Sequence, residues 1–542
     1  MTNSTKPYDV IILGTGFGGS MLATILAKYH KRVLMIEKTS HPRFAVGEST
    51  IPQMSTTMRI LSIRHQIPEL DHMTSAFRIR KNISSGCGVK RNFGFVYHRP
   101  GEPQRPDEAN QVGANYGEDS ESHLIRQDID AHYFYAAVKY GAEPRQNTQI
   151  KDIEIDGAGV RVHDHKGNVF HGRYLVDGTG HDSILARKYD LRDQPTRLRT
   201  NCRSLFTHMV GVTPYDDHVQ PRGAHHMPQA WHQGTLHHIF DGGWLWVIPF
   251  DNHKDSTSQL CSVGLQLDAR RFPRPDQRSA EQEFRDFLAR YPSMAGQFEQ
   301  ARAVRDWVST GRLQFSSKRC FGDRFGLLSH AAGFIDPLFS RGLANTCEVN
   351  SALATTLLAA LDDDDLSAER FAKIEDLQQT LIDSNDKLVS CSYTSFRDYE
   401  LWNAWYRVWV LGAFLATLRL QRAKMRYDET GNLSFLEQLD RAPYPGKVSP
   451  DYPQYNVLFD AAVAIMDAVE AGQTSPGVAR DELFGLLREA RYAPPVYPFT
   501  DPDLRFSIAD QGAVERVKTW IATKAPEDIK KLYFDVTSHA WL

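Results

Sequence analysis

Tyr8-Asp-Val-Ile-Ile-Leu13-Gly14-Thr-Gly16-Phe-Gly18-Gly19-Ser20 decides the fold. Its first six residues form the short apolar run expected of a strand buried on both faces. The glycines follow at once, and Ser20–Tyr29, rich in Ala and Leu, predicts a helix. Arg32–Ile36 reads as a second strand that ends at Glu37, 18 residues beyond Gly19. In this strand–turn–helix–strand order each glycine has a task. Gly14 makes the tight turn, Gly16 lets the backbone approach a pyrophosphate, and Gly19 lets helix and strand pack closely. The helix N-terminus offers free N–H groups to phosphate, and Glu37 is placed to accept from ribose hydroxyls. The segment therefore reads as a dinucleotide site. No second such motif is found: Gly157-Ala-Gly159 has Val162 where the third glycine belongs.

The rest of the 542 residues narrows the class. With 41% hydrophobic and 24% charged residues the chain is neither disordered nor collagen-like. The 63 Lys+Arg against 66 Asp+Glu leave a net charge of −3, which gives no general pull toward nucleic acid or an anionic membrane. Six cysteines without a CxxC pair suit neither a structural zinc site nor a disulfide framework, and point to reduced thiols in a cytoplasmic enzyme. Met1–Pro7 has no secretory pattern, and the apolar run Val408–Leu418 is about half of a bilayer span, so no membrane contact is expected. Five histidines crowd into 225–238 (225, 226, 232, 237 and 238), but their spacing fits no zinc pattern and no metal is expected.

Downstream, short strands are read at Ile150–Ile155, Val160–Val162 and Tyr174–Asp177, and an antiparallel sheet over 200–270 that includes Gly243–Pro249. Beyond Glu348 the chain is largely helical, with Trp402, Trp405 and Trp409 on one face. Arg126 before a helix, Asp177-Gly178 after a strand, and Gly322-Asp323 before the Gly333–Gly342 loop make a series. That series resembles the FAD-binding fold of the aromatic-hydroxylase type. The expected architecture is thus α/β: a doubly wound FAD-binding module (1–200 and 311–380), a substrate-side antiparallel sheet (201–310) and a helical C-terminal substrate cap (381–542).

Within that fold, Gly47-Glu-Ser-Thr-Ile-Pro52, Gly243-Trp-Leu-Trp-Val-Ile-Pro249 and Gly333-Phe-Ile-Asp-Pro-Leu-Phe-Ser-Arg-Gly342 resemble the flavin-dependent halogenases. Ser84-Ser-Gly-Cys-Gly-Val-Lys90, Phe206-Thr-His-Met209, Leu236–Phe240, Ser390–Tyr393 and Leu401–Trp405 resemble the branch that halogenates phenols of the phloroglucinol type. The match runs from Tyr8 to about Leu411.

The resemblance implies a mechanism. Reduced FAD (FADH2) and O2 convert chloride or bromide to hypohalous acid, which travels through a tunnel to a lysine and from there to an electron-rich aromatic carbon. Lys90 occupies the lysine position, and Glu48 lies in the loop expected between flavin and lysine. An ammonium at Lys90 can donate to the oxygen of hypohalous acid and polarise the bond to halogen. The resemblance assigns the flavin to Gly14, Gly16, Phe17, Gly19, Glu37, Lys38, Arg43, Ser49, Arg126, Asp177, Gly178, Asp336, Pro337 and Gly342. It assigns the halide to the N–H groups of Arg341 and Gly342, since a glycine turn can hold an anion without a fixed cation. Trp244, Trp246, His208 and Trp402 fall on the substrate side. One departure matters: tryptophan halogenases carry a glutamate in the segment matched by Leu338-Phe339-Ser340, where this chain has Phe339. That argues for a phenolic or similarly activated small molecule over tryptophan. A separate NAD(P)H-dependent flavin reductase is the implied partner. The competing readings are a flavin-dependent aromatic monooxygenase (hydroxylase) and a non-catalytic flavin-binding scaffold.

Overall fold

The computed structural model describes residues 6–114, 117–218 and 227–535. Its first sheet is built on Tyr8–Leu13, which pairs in parallel with Val33–Ile36 on one side and Val169–Asp177 on the other. Glu143–Arg145 extends one edge and Phe325–Leu327 the other, both in parallel. Ile150–Asp156 and Gly159–Asp164 form an antiparallel flap on Val169–Asp177. Val10, Ile11, Ile12 and Leu13 are essentially without solvent exposure, as a strand covered on both faces demands. The crossover helix spans Phe17–Lys28, three residues earlier than the sequence reading, because Gly16 is its N-cap.

The second sheet has the order Arg302–Ala303, Cys202–Val210, Cys261–Asp268, Gly243–Pro249, Thr235–Phe240, Asn92–His98, Ala109–Ala114 and Phe506–Ala509. It is not confined to 201–310. Asn92–His98 and Ala109–Ala114 come from the expected first part of the flavin module, and Phe506–Ala509 from the expected helical cap. Nor is it wholly antiparallel. Thr235–Phe240 pairs in parallel with Asn92–His98, and Phe506–Ala509 with Ala109–Ala114. Both parallel pairs join strands far apart in the chain, as a parallel pair requires a long crossover. Strand alternation divides this sheet between two cores. Trp244, Trp246 and Ile248 face the main core, whereas Leu245 and Val247 face a second one beneath the helix Ala280–Leu288.

The long helices Arg341–Asp363, Ala372–Ser395 and Tyr399–Thr430 pack on one another, on the crossover helix, on Pro52–His65 and on the C-terminal helices. Asp398 caps the last of them by accepting from Leu401 N (3.0 Å), and Gly431 ends it at φ +68°. One hydrophobic core runs from Val10 to Phe534, so the first sheet and the helical part share one interior. Trp402, Tyr406 and Trp409 face Phe95. Trp405 does not share that face: it packs on Phe459, and its Nε1 donates to Ser392 Oγ at 3.0 Å.

Candidate functional site

The Gly14–Gly19 turn has the shape the motif demands. Gly14 sits at φ +82°, and a Cβ there would lie 2.7 Å from Gly178 O. A Cβ on Gly19 would lie 2.2 Å from Gly14 O. Gly16 leaves room beside Arg43, whose Nη2 would be 3.3 Å from an added Cβ. Phe17 buries its ring on Tyr133 (centroids 5.2 Å apart), so its contribution to the turn is its main chain. Glu37 closes the second strand. Its Oε2 accepts from Thr15 N and Thr15 Oγ1, each at 3.1 Å, and Arg43 Nη2 lies 3.2 Å away. Burial works against its charge, but Arg43 and the N–H donors of Thr15 and Thr39 hold the carboxyl below its usual value. Lys38 is exposed.

Asp177 and Asp323 each brace a loop. Asp177 accepts from Thr179 N (2.9 Å), Ser183 Oγ (2.7 Å) and Leu185 N (3.3 Å), closing its own turn. Asp323 accepts from Ala368 N. Arg126 grips Asp130 with two parallel bonds (2.9 and 3.1 Å) and donates to Gly47 O (3.0 Å), which fixes the loop that carries Glu48.

Two cavities lie side by side. The larger, about 420 Å³, is lined by Gly47, Glu48, Ser49, Trp244, Trp246, His330, Asp336, Pro337, Ser340 and Gly342, among others. The smaller, about 120 Å³, is lined by Ile51, Pro52, Gln53, Lys90, Phe93, Glu121, Phe339, Arg341, Trp409 and Phe414, among others. The same two loops therefore serve both. Residues 47–49 face the larger cavity and 51–53 the smaller. Ser340 and Gly342 face the larger cavity, Phe339 and Arg341 the smaller.

Lys90 stands at the partition. It ends the strand Gly88–Lys90, which pairs antiparallel with Glu121–His123 so that Lys90 is opposite Glu121. Asn252 clamps that strand by accepting from Val89 N (2.8 Å) and donating to Val89 O (2.7 Å). Lys90 Nζ donates to Thr50 O at 2.9 Å, meets Ser340 Oγ at 3.4 Å and lies 3.5 Å from the Phe93 ring centroid. Burial drives its pKa well below that of an ordinary lysine, and the charge of Glu121 opposes the shift. Burial likewise raises the Glu121 carboxyl.

The wall continues in rings: Trp244 lies 5.4 Å from His237, His237 stacks on Phe95 at 4.5 Å, and Phe339 lies 4.5 Å from Trp409. His237 is neutral, pushed down to about 3 by burial.

The larger cavity holds its own acid without a cation. Asp336 accepts from Cys202 Sγ and Tyr393 OH (3.1 Å each) and from Leu338 N (2.9 Å), and burial raises it to about 6. Gly342 lies in the first turn of Arg341–Asp363, after Ser340 at φ +54°. The first N–H groups of a helix have no intrahelical acceptor, so this turn can receive an anion. A side chain at 342 would crowd it, since an added Cβ lies 2.9 Å from His330 Nε2. Arg341 turns its guanidinium into the interior beside the smaller cavity.

None of the four expected substrate-side residues lines the smaller cavity, since Trp244 and Trp246 line the larger one and the other two line neither. His208 pairs with Glu48 (2.6 Å) and lines neither cavity, and Trp402 is fully buried against Phe95 and Phe396. Glu48 itself is on the larger-cavity side, away from Lys90. Sequence reasoning missed Glu121, Asn252, Phe93 and Ser340 Oγ. Ser340 lies in the 333–342 loop without an assigned role, the other three carry no local motif, and only strand pairing with Lys90 could have pointed to Glu121. Of the crowded histidines, His225 and His226 lie outside the described residues. His232 faces Asp251 and His238 contacts Gln297 Oε1 at 2.8 Å. The six cysteines are buried and unpaired. Among the described residues no helix is long and apolar enough to cross a membrane.

The glycine turn, Glu37 and the larger cavity fit an adenine dinucleotide that ends in a flavin. Turn and cavity are tied together where Gly18 packs on Thr346 and where Asn350 Nδ2 donates to Gly18 O at 2.8 Å, joining the crossover helix to Arg341–Asp363.

Comparison with known proteins agrees with this geometry. The family described as Tryptophan halogenase matches residues 9–78 and 129–437. The chain is 48% identical over 541 residues to the monodechloroaminopyrrolnitrin halogenase PrnC of Pseudomonas fluorescens, covering 98% of this chain and 94% of that one. It is 44% identical to the tetracycline 7-halogenase of Kitasatospora aureofaciens, covering 97% and 95%. The crystal structure of halogenase PltM in complex with phloroglucinol and FAD superposes with a TM-score of 0.89 at 36% identity, covering 92% of this chain and 99% of that one.

Proposed function

The chain belongs to the tryptophan halogenase family, and from that premise we propose that this flavin-dependent halogenase acts on a small electron-rich aromatic through Lys90. The observation that carries the reading is the partition: a buried lysine bonded to both loops that separate a flavin-sized cavity from a ring-sized one. Reduced FAD with O2 supplies, when bound, the oxidising equivalent that turns halide into hypohalous acid. Gly14, Gly16 and the start of the crossover helix receive the pyrophosphate, and Glu37 receives the ribose. The N–H groups at Arg341 and Gly342 hold the halide. Trp244 and Trp246 line the larger cavity and His237 and Phe93 continue the wall, keeping the aromatic substrate from the flavin. Lys90 receives the hypohalous acid, donates to its oxygen and polarises the bond to halogen.

The smaller cavity, about 120 Å³, is close to the roughly 150 Å³ dry cavity that binds benzene, so it suits one aromatic ring. Its cover of Phe93, Phe339, Trp409 and Phe414 suits a flat apolar face. The substrates in the relatives' names, monodechloroaminopyrrolnitrin and phloroglucinol, support an activated ring whose nitrogen or oxygen stabilises the cationic intermediate. Reduced FAD is delivered by a separate NAD(P)H-dependent reductase.

The test supplies reduced FAD, O2, bromide and resorcinol, with free methionine as scavenger of released oxidant, and reads products by mass spectrometry. Bromoresorcinol is the expected product. A hydroxylated product without bromoresorcinol would overturn the reading in favour of a hydroxylase.

A further inference from the structure

Halogenating an aromatic carbon releases a proton as well as consuming the halogen, and Lys90 cannot serve both needs, because its nitrogen is engaged with the hypohalous acid. Among the described residues lining the smaller cavity, Glu121 is the one carboxylate. The other polar groups there are amides, a hydroxyl, a phenol, two guanidinium groups and Lys90 itself, none of them a free base of useful strength. Glu121 is placed opposite Lys90 by the two-strand pairing Gly88–Lys90 with Glu121–His123. Ser55 Oγ donates to its Oε1, while Oε2 is shielded from solvent and has no hydrogen-bond partner among the described residues. A buried carboxylate oxygen left without a donor is costly and calls for an account.

We propose that Glu121 is a catalytic base: its Oε2 takes the ring proton from the halogenated carbon and returns it to Lys90. The inference rests on the Lys90 reading above and deepens it. The ring carbon attacks the halogen of the hypohalous acid, so the carbon–halogen bond forms and the oxygen–halogen bond breaks. The departing hydroxide takes a proton from the Lys90 ammonium and leaves as water. The ring carbon then loses its proton to Glu121, the C–H electron pair restores aromaticity, and proton transfer from Glu121 to Lys90 resets both groups. Hypohalous acid plus arene gives haloarene plus water, with no other reactant.

The electrostatics of the pair suit these roles. Burial raises the carboxyl, which makes it a stronger base, and lowers the ammonium, which makes it a stronger acid toward hydroxide. The Ser55 hydrogen bond and the charges of Lys90 and Arg59 act in the opposite sense on Glu121 and keep its anion accessible. The glutamate missing at Phe339 is thus not simply absent from the cavity: a carboxylate enters from the opposite wall, on a strand.

Glu121→Gln tests the proposal in the bromide and resorcinol assay with methionine scavenger, run in parallel on saturating ring-deuterated and on saturating unlabelled resorcinol. The expected result is that bromoresorcinol formation falls by about 100-fold and that a primary deuterium isotope effect appears where the parent shows none, because loss of the ring proton becomes rate-limiting. A merely structural role for Glu121 would slow the enzyme without an isotope effect, and that result overturns the proposal, as does an unchanged rate. Where Glu121→Gln does not fold, Glu121→Asp carries the test: a smaller isotope effect supports the base, and its absence rejects it. Lys90→Ala in the same assay separates the two ideas. If it brominates resorcinol as the parent does, the lysine reading fails whatever Glu121 does.

Discussion

The cavity of about 420 Å³ is walled by glycine-rich turns, neutral rings and a helix start, whereas the cavity of about 120 Å³ holds Lys90 opposite Glu121 under an aromatic cover. Each contains one buried acid raised by desolvation, Asp336 in the first and Glu121 in the second. Asp336 is met by neutral donors alone, whereas Glu121, bonded by Ser55 Oγ, also feels the charge of Lys90. The difference teaches how one chain sets two buried acids in adjacent cavities among different partners. On the proposed reading, the site that receives an anion relies on N–H dipoles. The site that transfers an electrophile needs a proton donor and a proton acceptor that exchange.

This contrast can be broken from either side. The largest effect expected on the flavin side is from Gly14→Ala. Its φ of +82° and the 2.7 Å approach to Gly178 O leave no room for a methyl group. FAD affinity, read by fluorescence titration, should fall by about 30-fold or more, equivalent to roughly 2 kcal/mol of strain. Unchanged affinity would show that the turn is not the pyrophosphate seat.

A smaller effect is expected at Asp336, whose carboxyl is raised from 3.8 to about 6. Between those values the folded chain holds a proton that the unfolded chain has released, so its contribution to stability falls as pH rises through that window. At neutral pH the cost is on the order of 2–3 kcal/mol. Asp336→Asn removes this dependence. Relative to the parent it should gain stability as pH is raised from about 4 to about 7, followed by thermal melting. A constant gap across that range would mean that Asp336 is ionised without penalty, and that the two acids do not differ as described.

How much of this was legible in the sequence follows from how far apart the cooperating residues lie. The span from Tyr8 to Glu37 is local, and its glycines have steric tasks that any single chain displays. The strand, helix and acid were therefore readable, with the helix start displaced only by the Gly16 cap. The loops at 47–52 and 333–342 and Lys90 itself were readable only through resemblance. The smaller cavity was not readable as a unit. Asn252 meets Val89 across 163 positions, and Ser340 meets Lys90 across 250. Glu121, in a polar stretch Glu118–Ser122, has the pattern of a solvated turn until strand pairing brings it opposite Lys90. The sheet boundaries failed for the same reason, because Asn92–His98 and Phe506–Ala509 join it through long crossovers. Trp402 and Trp405 failed because one stripe on a helix was read as one face, while Trp402 seals the core near Phe95 and Trp405 packs on Phe459.

The central claim is that Lys90 carries the halogen from one cavity to the other. The most direct measurement follows Lys90→Ala with reduced FAD, O2, bromide, resorcinol and excess free methionine, counting bromoresorcinol and methionine sulfoxide together. The account predicts that FAD binding and total oxidant are retained, that bromoresorcinol falls by about 100-fold or more, and that sulfoxide rises to match. Bromoresorcinol at the parent's level, with no added sulfoxide, would contradict it.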